Sequence, residues 1–270
     1  MRLAYTLAPD LAHGWLDGYL GFDEPQSELA RDQLGQFFRW HRASQLPVYA
    51  KLLTRARGEV VDNITPASAC RWYAEVFGQL RPSIDHALPM AAQVVRILTP
   101  RQVQTLERKY QKVNLEFRET YLQPDPKDRL KASVKRALSR AESLYGTLDP
   151  AQKDRLARGI AASPFDPEAW LAERMRRQQD TVRTLRRLAS AATPASAEAA
   201  QAALRPLADQ ALSSPDPAYR AYQERLKQYN CTLAAQLHNA TSRDQRATAA
   251  ARLQGWEEDL RSLAEAAGRR

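Results

Sequence analysis

Again and again along this chain a Thr or Asp stands directly before a proline, and a run rich in Ala, Leu and Arg follows, as at Thr65-Pro66, Thr99-Pro100, Asp149-Pro150, Asp166-Pro167, Thr193-Pro194 and Asp216-Pro217. The polar side chain can accept from the orphan N–H groups of a first helical turn. Proline just inside that turn loses nothing, because its missing N–H had no partner there. A chain so marked is divided into many helices. Composition agrees: only 10 of 270 residues are Gly, β-branched residues are sparse, and no long stretch alternates apolar with polar. A sandwich, a barrel and a βαβ fold are therefore excluded, and the expected class is all-α, a multi-helix bundle.

Reading each start to its stop predicts a succession of helices. The first spans about 3–20 and ends at Gly21. The second begins near Glu24, meets Pro47 and continues to Arg57. Later segments are expected near 66–80, 84–98, 100–121, 127–145, 150–161, 167–190, 194–212, 217–239 and 242–267.

A short repeat sits in this punctuation. Phe22-Asp23-Glu24-Pro25-Gln26, Leu98-Thr99-Pro100-Arg101-Gln102 and Leu148-Asp149-Pro150-Ala151-Gln152 share an apolar residue, a cap and a Gln three positions on; Ile64-Thr65-Pro66-Ala67-Ser68 is a fourth copy lacking the Gln. This is a capping box, in which cap and Gln satisfy each other's backbone N–H. Helix-start chemistry is enough to explain it.

Aromatic residues crowd the first part of the chain and thin out near residue 190, where Ala takes over. Leu171, Met175, Val182, Leu185 and Ala189 recur at spacings of four and three, with Gln178 the polar exception, as in a coiled-coil seam. Residues 1–165 read as an aromatic-cored helical bundle. Residues 166–270 read as an Ala/Arg-rich arm or hairpin that packs on it or projects from it.

With 40 Lys and Arg against 31 Asp and Glu, the formal net charge is +9. Such a balance attracts polyanions without choosing among them. The densest cluster is Arg174, Arg176, Arg177, Arg183, Arg186 and Arg187; elsewhere acidic residues interrupt the basic ones, as on a solvated helix face. No run of 18 apolar residues is present. The two cysteines, Cys70 and Cys231, lie far apart and outside any metal-binding spacing. They read equally as one disulfide in an oxidising compartment or as two buried thiols.

Catalytic constellations are absent from the sequence. It has no Gly-rich phosphate loop, no G-x-S-x-G and no H-E-x-x-H, and His13, His41, His86 and His238 lack metal-ligand partners at helical spacing. No enzyme, metal or cofactor is expected. Two polar-aromatic islands remain. The first is Phe37-Phe38-Arg39-Trp40-His41-Arg42, where a buried Arg42 or His41 would need a carboxylate such as Asp17, Asp10, Glu116 or Glu119. A site built on Asp17 and His41 would require the two to meet in an open pocket. The second runs from Asn114 through Arg118 and Tyr121 to Arg129, Lys135, Arg136 and Arg140. Asn114, Arg118, Arg129 and Arg136 could line an anion-binding groove, although an exposed, ion-paired helix is the simpler reading.

Together, Trp15-Leu16-Asp17 with Tyr19, Trp40-His41-Arg42, Leu46-Pro47-Val48-Tyr49-Ala50, Asn114 with Arg118 and Tyr121-Leu122, and Trp170-Leu171 with Arg174 and Gln178 resemble a family of uncharacterised bacterial envelope lipoproteins. The likeness covers about residues 3–190. It implies a periplasmic, lipid-anchored protein whose signal peptide and lipid-acceptor Cys precede the first helix; taken alone, the first residues of this chain read as cytoplasmic. The Leu98-Thr99-x-x-Gln102 element also resembles the L-T-x-x-Q element of Spy-like periplasmic stress chaperones. The expectation is a non-enzymatic envelope protein that binds a protein or an anionic envelope component through a basic helical surface, with Asp17, Trp40, His41, Arg42, Asn114, Arg118, Arg129 and Arg136 as candidate binding residues. An ATP-independent holdase is the alternative. A cytoplasmic nucleic-acid binder using Arg174–Arg187 is disfavoured, because few aromatics accompany those arginines.

Overall fold

The computed structural model describes residues 2–266. Among them are thirteen helices and no strand: α1 (Arg2–Thr6), α2 (Ala8–Leu20), α3 (Glu24–Ser44), α4 (Leu46–Glu59), α5 (Pro66–Gly78), α6 (Leu80–Val95), α7 (Pro100–Tyr121), α8 (Pro126–Tyr145), α9 (Pro150–Ala161), α10 (Pro167–Ala189), α11 (Ala197–Leu212), α12 (Pro217–Asn239) and α13 (Arg243–Glu265). The all-α class read from the sequence is the class observed.

The starts follow the capping chemistry. Thr65, Thr99 and Asp149 each accept from the backbone N–H three residues on, while Asp166 and Asp216 accept from Glu168 and Ala218. One start is corrected: Pro194 lies outside the helix, and Ser196 caps α11 by accepting from Ala199. Two long helices are divided. Pro9 and Pro47 have no N–H to return to the turn before them, and breaks fall at Leu7 and Gln45.

The pairing of helices has an internal order. α2 packs on α3 and α7, and α3 on α6. Six helices further on, α8 packs on α9 and α13, and α9 on α12. Across the halves α4 packs on α13 and α10 on α7; α5 packs on α12 and α11 on α6. Exchanging α2–α7 for α8–α13 leaves each of these contacts in place. The chain is thus an intertwined pair of six-helix units, each lending α4–α5 or α10–α11 to the other. The copies differ in detail: α3 has 21 residues and its counterpart α9 has 12.

This exchange explains where the helices after residue 166 go, since each packs on a helix from before it. It also explains the composition of the core. The largest buried cluster joins Leu88 and Ala92 of α6, Val103 and Leu106 of α7, Val182 and Leu185 of α10, and Ala200 and Leu204 of α11. The fully buried side chains are mostly Leu, Ala and Val, so the core of the first part is aliphatic rather than aromatic. Closely packed helices leave little room for rings, which instead form a half-buried shell with some members well exposed, as Trp15 is. Cys70 and Cys231 form a disulfide between α5 and α12. The equivalent pair, α6 and α11, is joined without a covalent link, by a cluster that includes Leu88, Ala92, Ala200 and Leu204 and by the ion pairs Arg81–Asp209 and Asp85–Arg205.

Candidate functional site: paired helix starts and an arginine groove

The repeated capping boxes meet in space. At the α2–α3 and α6–α7 junctions, Gln26 donates to the Ile97 carbonyl at 2.8 Å and Gln102 to the Gly21 carbonyl at 2.9 Å. The two amides also bond each other, and each Oε1 accepts its own cap's N–H. At the α8–α9 and α12–α13 junctions the pattern recurs: Gln152 donates to the Ala240 carbonyl at 2.8 Å, Gln245 to the Thr147 carbonyl at 2.9 Å, and the two amides bond reciprocally at 2.8 and 2.9 Å. In all four starts the accepting carbonyl lies two residues before the partner's cap. A left-handed glycine, Gly21 or Gly146, precedes one start of each pair. The Gln is therefore a tertiary clamp as well as a capping residue. The fourth member, Ser242 with Gln245, lacks the proline that marked the others, and this hid it in the sequence. Thr65 with Ser68 caps its helix without a Gln partner.

Arg129 and Arg136 come together. They line a groove of about 590 Å3 with Arg140, on the outer face of α8. The opposite wall comes from Ile160 at the end of α9, Phe165 in the following turn, and Leu226 and Asn230 of α12. No Asp or Glu lines it. Leu130 and Phe165 are 40% and 38% exposed there. Arg136 lies 4.4 Å above the Tyr121 ring, which stacks on Phe117, which stacks on Trp170; Arg174 covers the far end of this ladder. The ladder ties α7, α8 and α10 into one wall. At the equivalent place in the other half, between α2, α3 and α6, lies a groove of about 330 Å3 whose lining includes Leu16, Leu34, Phe37, Met90 and Val94, with Gln33 its single polar residue.

The remaining candidates are placed elsewhere. Asn114 and Arg118 do not line the arginine groove. Asn114 exchanges amide hydrogen bonds with Gln178, at 2.7 and 3.2 Å, across the α7–α10 seam. Arg118 borders a separate depression with Met175 and Gln179. Asp17 accepts from the Phe22 N–H at 2.8 Å and so shapes the α2–α3 turn; it does not meet His41 or Arg42. The expected carboxylate partner of Arg42 is therefore corrected to Tyr5, whose ring centroid lies 5.5 Å from the guanidinium. His41 Nδ1 bonds the Tyr5 hydroxyl at 2.8 Å, and Trp40 stacks on His86 at 3.8 Å. Burial lowers the His41 pKa and raises that of Tyr5, which Arg42 partly offsets. This island is a half-buried cluster of stacked rings, in which the buried Nε of Arg42 makes no hydrogen bond. The Arg174–Arg187 cluster is largely neutralised: Arg176 and Arg177 hold Glu173, Arg183 holds Asp180, and Arg186 reaches Glu107.

Among the described residues no group of three or more His, Cys, Asp and Glu could hold a metal ion, and no helix is long and apolar enough to cross a membrane.

An all-helical, internally paired fold with one cationic and one apolar groove is the class these observations define. The chain belongs to a family of unknown function, DUF6279, whose model matches residues 18–200. That match extends through the arginine groove's α8 and α9 walls and stops within α11. No curated protein and no solved structure matches the chain.

Proposed function

We propose that this is a non-enzymatic helical protein of the bacterial envelope, lipid-anchored in its native form, that binds a partner through the basic surface along α8. The observation that carries the reading is the arginine groove: Arg129 and Arg140 stand beside exposed apolar side chains with no acidic lining. Guanidinium groups elsewhere in the chain are commonly paired with carboxylates. Cationic side chains left without acidic neighbours beside exposed apolar surface favour an anionic, partly apolar partner. The disulfide supports an oxidising compartment. Photo-crosslinking in cells from a reactive amino acid at position 130 tests the partner. Discrete adducts are expected, and they vanish when Arg129, Arg136 and Arg140 are all Gln; equal adducts from an exposed control position, 28, remove the reading. Alkylation of the cellular protein before reduction tests the compartment, since two labelled thiols would count against it.

The repeated L-T/D-x-x-Q starts support a second reading, an ATP-independent holdase resembling the Spy-like chaperones. An equimolar light-scattering assay with an aggregating client decides it: suppression is expected, and its absence excludes holdase activity.

A further inference from the structure

The arginine groove does not end at Leu226 and Asn230. These two residues also line a second groove of about 420 Å3 on the other side of α12. Its walls include Tyr73 of α5, Trp170 of α10 and Tyr219 and Tyr222 of α12, with the Cys70–Cys231 disulfide at its base. From Tyr73 an exposed apolar stripe runs on through Val76, Phe77 and Leu80 at helical spacing. One continuous surface therefore passes from three arginines, across Leu226, to a row of rings. Its cationic part is long: Arg129 to Arg140 spans about 16 Å along α8.

We infer that this surface is a docking site for an acidic, amphipathic segment of another polypeptide, with carboxylates along Arg129, Arg136 and Arg140 and apolar side chains against Leu130, Phe165 and the Trp170–Tyr222 rings. This deepens the partner-binding reading and rests on it. Three features select a polypeptide over a lipid headgroup or a free anion. A single phosphate needs cations that converge, whereas these are strung along about three helical turns. The charge is carried by arginines spaced seven and four residues apart, the spacing at which a facing helix presents its own carboxylates. The apolar part is ring-lined and lies beside the cations along α12, which suits a ligand that is itself extended and two-faced. The apolar groove between α2, α3 and α6 provides an internal contrast, because it offers no such charge.

The test is fluorescence anisotropy with a labelled synthetic peptide of about five helical turns, carrying Glu on one face and Leu and Phe on the other. Saturable binding to the full chain is expected, weakening steeply as salt rises. Replacing Arg129, Arg136 and Arg140 by Gln should weaken binding at least tenfold, as should replacing every Glu of the peptide by Lys. Leu130→Ser, at an exposed position that the fold does not depend on, should weaken it severalfold. Absence of peptide binding, or unchanged affinity in the arginine variant, overturns the inference. So does arginine-dependent sedimentation with phosphatidylglycerol vesicles in the absence of peptide binding, which would assign the surface to a membrane. Should crosslinking from position 130 persist while the acidic peptide fails to bind, the partner reading stands and this chemistry falls.

Discussion

A carboxylate placed between two guanidinium groups resists protonation. Glu173 is buried, bonded by Arg176 at 2.8 and 2.9 Å and by Arg177 at 2.8 Å. The Arg176 bond is the leading cause that holds its pKa down to about 2, against the opposing effect of burial; Arg177 and the buried hydroxyl of Ser214 add to it. This cluster fastens α10 to the turn before α12. Because the folded pKa lies below the unfolded one, the stabilisation is complete above about pH 4.5 and is lost as pH falls toward 2. Glu173→Gln leaves two guanidinium groups without their shared acceptor and should cost about 3 kcal/mol near neutral pH. Thermal melts should show the two proteins far apart at pH 7 and converging below pH 4; a constant difference would mean that the charge is not the cause. His238 bonds the Tyr145 hydroxyl at Nδ1 and the Asp62 carbonyl at Nε2, and burial lowers its pKa.

At the level of the helix, the Gln of the capping box carries two jobs. The local one, satisfying the cap's own N–H, is legible from four residues of sequence. The tertiary one is not, because it depends on which other start lies opposite. Gln102→Leu or Gln152→Leu should each cost about 3 kcal/mol, since each strands a backbone carbonyl, a cap N–H and the partner amide. Thr65→Ala, at a start without a Gln partner, should cost only about 1 kcal/mol. Equal losses in denaturant melts would reduce the pairs to ordinary caps. The starts of α5, α7, α9, α10 and α12 were legible because Thr or Asp before Pro fixes a start with little ambiguity. The start at Ser242 was also read without a proline, whereas Pro194 misled because Ser196, two places later, caps better. Within the candidate site, Arg129, Arg136 and Arg140 could be grouped by spacing alone. Phe165 and Leu226 could not, since their place opposite α8 follows from tertiary folding.

At the level of the molecule, the covalent link and the aliphatic cluster occupy exchange-related positions and perform the same task. The disulfide closes 161 residues of chain, which in the chain-entropy account limits the unfolded state by about 5 kcal/mol. Cys70→Ser should therefore lower the melting temperature by roughly 5–10 °C, and reductant should lower the wild type by a similar amount without moving the variant. A reductant effect on the variant would place the weak point elsewhere. The helix pairs α4–α5 and α10–α11 that each half lends to the other also mean that neither half contains its full set of partners, so unfolding should be a single cooperative event.

Two identical subunits joined by symmetry must change together, because one gene writes both. Here the two counterparts are written separately along one thread. A substitution that charges one cleft leaves its twin greasy, and selection can tune each alone, a freedom that a homodimer of the same shape does not have.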